Sequence, residues 1–187
     1  MLRFTLTRQL GTPFYTLGVL EEPTTGFRCK TLERPVEETR KNPRKHFVAI
    51  PAGVYMLKVV ARDTDFTIGF SLNGSWRYAD LRGDASFSGI PAGSICIGKS
   101  FNEETGLVGA EEVGKRLSKL IEYLIDSGVL SGKSKKGEMM IEIVQDESFV
   151  ITKGKKPDAS KGKRTKLNWD CLEEDDEENL GIEWEDE

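Results

Sequence analysis

The chain has 187 residues, 27 of them basic and 31 acidic, and 37% are hydrophobic. That length suits one domain with an appendage, and the hydrophobic share is low for a chain that folds throughout. No apolar run approaches the ~20 residues that cross a bilayer as a helix. The opening MLRFTLTRQL lacks the apolar block of a signal peptide, so no membrane span and a cytoplasmic location are expected.

Strand-like runs dominate the first part of the chain: Arg3–Arg8, Phe14–Leu20, Phe27–Glu33, Val54–Val60 and Phe66–Leu72, with a late one at Glu138–Val144. They alternate apolar with polar residues or are rich in β-branched ones, and turn formers such as Thr24–Gly26 and Asn73–Ser75 separate them. One segment has the helical period. Val113, Leu117, Leu120, Ile121, Leu124 and Ile125 form a single stripe, and Gly128 follows as a C-cap. The expectation is an α+β, β-rich fold: a mainly antiparallel sheet, as a partly closed barrel or sandwich, with one main helix at about 110–127 packed on it.

The stretch GSICIGKS, Gly93–Ser100, satisfies the P-loop pattern, with Gly93, Gly98, Lys99 and Ser100 in the diagnostic places. A phosphate-holding loop leaves a buried strand, curls through flexible residues and opens a helix. Here Ile95 and Ile97 flank Cys96, which suits an extended strand and resists the positive φ of a phosphate nest. The residues after Ser100, FNEETGLVG, do not start a helix at once. The tetrad IPAG occurs twice, at Ile50–Gly53 and Ile90–Gly93, and each copy turns the chain into such a strand.

Cys29, Cys96 and Cys171 are odd in number and lack CxxC spacing, so neither a disulfide framework nor a zinc site is indicated. The single histidine, His46, lies in the polar stretch ETRKNPRKH and reads as a surface loop residue. With one imidazole in the chain, most catalytic triads and His-based metal sites are excluded, and no metal or cofactor is expected.

A domain boundary is expected near residue 152. Lys153–Lys166 carries seven basic residues and one acid, and Asp170–Glu187 carries eleven acids and no base. Removing both leaves twenty basic and nineteen acidic residues before Lys153, so a nearly neutral domain (1–152) precedes a basic linker (153–169) and an acidic tail (170–187). Neither segment holds enough apolar surface to offset chain entropy. The basic run would compete with the adjacent acids for any phosphate, so nucleic-acid binding is not expected. Two readings of the tail stand side by side: a solvated segment whose halves attract, or a partner-binding element. In the second, Leu180, Ile182 and Trp184 dock amid carboxylates into a basic groove with an apolar floor on a partner protein.

Four motifs in order carry a resemblance: CKTLERP (Cys29–Pro35), IPAGVY (Ile50–Tyr55), LRGD (Leu81–Asp84) and GSICIG (Gly93–Gly98). With them, residues 17–125 resemble an uncharacterised domain family of bacteria, prophages and phages. Its histidine and cysteine pair looks like the active site of L,D-transpeptidases, which modify cell walls through a thiolate. The resemblance also implies a helix after the last motif. Such chemistry needs an imidazole beside the thiol. This chain has Leu81 where the histidine is expected and Ser94 where the cysteine is expected. The resemblance therefore implies a non-catalytic phage or prophage protein, virion-associated or host-interacting. An alternative is a cell-wall transferase or hydrolase using Ser94 or Cys96 near Asp84 and Arg82, and a second is nucleotide binding through Lys99 and Ser100. The Arg-Gly-Asp within LRGD reads as coincidence.

Overall fold

The computed structural model describes residues 1–36, 49–61, 66–72, 75–82, 90, 93–103, 105–130 and 138–154. Three strands open the chain: β1 (Leu2–Gly11), β2 (Thr16–Glu22) and β3 (Phe27–Glu33). β4 (Gly53–Ala61), β5 (Phe66–Leu72) and β6 (Ser75–Arg82) form a second meander. Then come β7 (Ile95–Gly98), a small hairpin of β8 (Ser100–Asn102) and β9 (Gly106–Val108), the helix α1 (Ala110–Asp126), β10 (Met139–Val144) and the short β11 (Val150–Ile151). The fold is thus β-rich with one helix.

The main sheet runs β10-β4-β5-β6-β7-β3-β2-β1, and β1 pairs β10 in turn, so the ladders return to their starting strand. Most pairings are antiparallel. Two in the ring are parallel, β1 with β10 and β6 with β7. The first and last long strands of the domain therefore lie side by side, with Leu2↔Met139 through Thr7↔Val144 in register.

Strand alternation sets the inner face. Leu2, Phe4 and Leu6 of β1, Phe27 and Cys29 of β3, Ile95 and Ile97 of β7, and Ile141 and Ile143 of β10 all enter one apolar core. α1 supplies Val113, Leu117, Leu120, Ile121 and Leu124 to the same core, which is the stripe the sequence displays. The helix begins at Gly109, held at φ 67, and Glu111 and Glu112 complement the positive end of its dipole. It ends where Gly128 takes φ 75 and donates its amide to the Ile125 carbonyl at 2.9 Å. Arg116 sits over the Phe27 ring at 5.4 Å and donates to the Arg28 carbonyl at 3.3 Å, which places α1 across the end where β3 begins.

The other end of β1 and β3 is polar. Arg8 and Glu33, each only 1% exposed, form a two-pronged ion pair: Nε to Oε2 at 2.9 Å and Nη2 to Oε1 at 2.7 Å. The strand between them, β2, presents Gly18, the ladder partner of both Arg8 and Thr31. A Cβ at Gly18 would lie 2.7 Å from the Thr7 carbonyl oxygen, so the position accepts only hydrogen.

This ion pair reaches the first IPAG tetrad, and the residue after Glu33 reaches the second. Arg8 also donates to the Ile50 carbonyl at 2.6 Å, and Arg34 Nε donates to the Ile90 carbonyl at 2.7 Å. Two neighbouring residues of the CKTLERP strand thereby fix both tetrads, Glu33 through Arg8 and Arg34 directly. Each closing glycine has positive φ, 149° at Gly53 and 75° at Gly93, which explains the Gly in each copy. The second expected strand starts later than its apolar pattern suggests, at Thr16 instead of Phe14. The Thr12 hydroxyl accepts from the amides of Phe14 and Tyr15 and draws both residues into the turn.

Candidate functional site

β6 and β7 carry the residues that matter most for chemistry. β6 ends at Arg82, β7 starts at Ile95, and the two run parallel with Leu81↔Ile95 and Arg82↔Cys96 as Cα partners. Ser94 directly precedes Ile95. The fold thus brings position 81 and position 94 to neighbouring strands, one residue apart in register, although thirteen positions separate them in the chain.

The side chains at this junction are apolar or enclosed. Leu81 is 3% exposed and packs inward with Ile95 and Ile97. Ser94 is also 3% exposed. Cys96 points to the other face of the strand, into a second apolar cluster with Tyr15, Leu32, Ile90 and Leu107, and is 1% exposed. The β8–β9 hairpin contributes Leu107 to this cluster, and the ring of Phe101 lies 5.4 Å from that of Tyr15. Cys29 lies in the main core, where burial pushes its thiol up to about 12 against a smaller opposing pull from Arg116. That cysteine is a poor nucleophile.

The GSICIGKS segment is extended. β7 pairs antiparallel with β3 through Lys30↔Gly98, Thr31↔Ile97 and Leu32↔Cys96, so its amides belong to ladders on both sides. Of the two glycines in the segment only Gly93 has positive φ, and it lies before β7 begins. Lys99 donates its amide to the Val108 carbonyl at 2.9 Å, its methylenes lie against Gly109, and its ammonium pairs with Glu112. Ser100 opens β8. The lysine and serine of the motif thereby fasten the hairpin and the start of α1, and no concave ring of amides forms at residues 93–100.

Among the described residues, no group of His, Cys, Asp and Glu side chains could hold a metal ion. No helix among them is long and apolar enough to cross a membrane. Asp84, His46, Cys171 and the tail residues Leu180, Ile182 and Trp184 lie outside the described residues, and Arg82 is placed by its backbone only. The feature that sequence reading missed is the Arg8–Glu33 pair. A charged residue closing each of two strands was its one visible signal. Compared with family models, curated proteins and solved structures, the chain has no match.

Proposed function

We propose that the chain is a non-catalytic protein of phage or prophage type that keeps the scaffold of the family it resembles and acts by binding. The observation that carries this reading is the junction of β6 and β7. At the position expected for histidine stands Leu81, buried in the core, and the nearest thiol, Cys96, faces an apolar cluster on the opposite side of the strand. An inward leucine takes no proton, and a thiol only 1% exposed among apolar side chains is closed to a substrate.

In this reading the work passes to surfaces, with the acidic tail as the partner-binding element: carboxylates for a basic groove, and Leu180, Ile182 and Trp184 for its floor. A thiol-reactive probe at neutral pH tests the catalytic half of the proposal. Cys96 is expected to label more slowly than a free thiol, and Cys96→Ser and Ser94→Ala are expected to leave muropeptide profiles of treated peptidoglycan unchanged. Rapid labelling, with a wild-type cleavage or transfer product that Cys96→Ser abolishes, would overturn it. Deleting Lys153–Glu187 tests the other half: a partner bound with undiminished affinity would remove the tail from the proposal.

A further inference from the structure

Among the described residues, the strand pairings leave one edge of the main sheet open. The eight ring strands close through the β1–β10 ladder, and a closed sheet has no free edge. β11 stands outside that ring. Among the described residues it pairs with β1 alone, through Leu10↔Val150 and Gly11↔Ile151. The Thr152 amide donates to the Gly11 carbonyl at 2.9 Å, so strand alternation turns the N–H and C=O of Ile151 to the open side. Val150 and Ile151 are 54% and 53% exposed, two β-branched side chains left on the rim of a sheet. Packing against β1 holds this edge in place. The Phe149 ring covers Gly11 so closely that a Cβ there would collide with it, and Gly154 sits against Thr12.

The chain also carries a segment with the pattern of a strand that fits such an edge. Leu180, Ile182 and Trp184 alternate with Gly181 and Glu183, a period of two with one apolar face. Leu180 lies twenty-nine positions beyond Ile151. A connection of that length spans about 30 Å as a coil. Tethering at that span gives an effective concentration in the millimolar range, so a weak pairing suffices. The seven basic residues of Lys153–Lys166 start at the edge itself and attract the acids that flank the triad.

We propose that residues 180–184 add as a strand to the open edge of β11, so that the domain stores the apolar triad of its own tail until a partner draws it away. The docking stands on the edge and the tail pattern. Its regulatory meaning rests on the tail being the partner-binding element, as proposed above.

Hydrogen exchange on the full chain tests the docking, with a full-length variant carrying Leu180→Ser, Ile182→Ser and Trp184→Ser as the comparison. These changes leave every described strand and the helix untouched in sequence, so the domain is expected to fold in both proteins. Amides at 149–152 are expected to exchange roughly tenfold faster or more in the variant, with the ring strands unchanged. Equal rates in the two proteins would overturn the proposal. Protection at 149–152 that rises with protein concentration, together with a dimer in sedimentation, would assign the edge to a second copy and overturn it as well. Partner affinity, measured separately with the Lys153–Glu187 deletion, tells failure of the docking from failure of the binding function.

Discussion

The most informative perturbation is Glu33→Gln. It keeps the shape of the side chain and removes the charge that faces Arg8 at 2.7 and 2.9 Å, in a site where both residues are 1% exposed. Removing one partner of a buried ion pair costs about 3–5 kcal/mol, because the remaining charge stays desolvated without compensation. Arg8 retains the Ile50 carbonyl at 2.6 Å and Gln145 at 3.4 Å, which soften the loss without replacing a carboxylate. The expected destabilisation is therefore about 3 kcal/mol, a large part of the 5–15 kcal/mol typical of a domain. Replacing both partners, with Arg8→Met and Glu33→Leu, removes the unpaired charge and leaves the Ile50 carbonyl without its donor, at a cost of about 1–3 kcal/mol. Urea unfolding of the wild type, Arg8→Met, Glu33→Leu and the double variant closes the cycle, with Glu33→Gln as the isosteric control. A coupling of about 2 kcal/mol or more is expected. Single variants within about 0.5 kcal/mol of wild type, or costs that simply add, would refute the reasoning.

Three further outcomes follow from the same structure. Leu120→Asp puts a carboxylate into the contact between α1 and the sheet, where Leu120 is buried, and is expected to cost about 4 kcal/mol in urea unfolding; soluble, cooperatively folded variant protein of near wild-type stability would show that the helix face is wrong. Cys29 keeps its proton to about pH 12 when folded, while the unfolded chain releases it from 9.0, so its contribution is whole below pH 9 and declines by about 1.4 kcal/mol per pH unit above it; the gap in urea stability between wild type and Cys29→Ala should shrink between pH 9 and 11, and a constant gap would refute the shift. The Thr31 hydroxyl is buried without a hydrogen-bond partner, so Thr31→Val is expected to leave the melting temperature unchanged or raise it, whereas a drop of several degrees would reveal an unseen partner.

Seven of the strands, β1 to β5, β7 and β10, and the helix were legible because their signals are local. FRCKTLE and EMMIEIV alternate, and the steps of three and four from Val113 to Leu124 describe one helix face. Other strands were not legible. WRYADLR, most of β6, mixes charges with aromatics and lacks a clean period of two, and it becomes a strand because β5 and β7 offer ladders on both sides. β8, β9 and β11 are three or two residues long, too short to show any period. For the candidate site, the extended form of Ile95–Ile97 could be read from two β-branched residues around a small one. That Leu81 would lie beside Ile95, and that Cys96 would face away from Ile95 and Ile97 into its own cluster, could not.

By itself, the order of residues determined which segments extend and which coils into a helix, and that a glycine closes each IPAG tetrad. These are properties of neighbours along the chain: side-chain period, capping and backbone sterics. Only the tertiary structure decided that β1 and β10 close the ring, that Arg8 meets Glu33 across Gly18, and that Glu33 and Arg34 hold the two tetrads through the Ile50 and Ile90 carbonyls. Those pairings join residues from 25 to 137 positions apart, and burial selects them: a desolvated charge or carbonyl is stable only where a partner arrives from elsewhere in the fold.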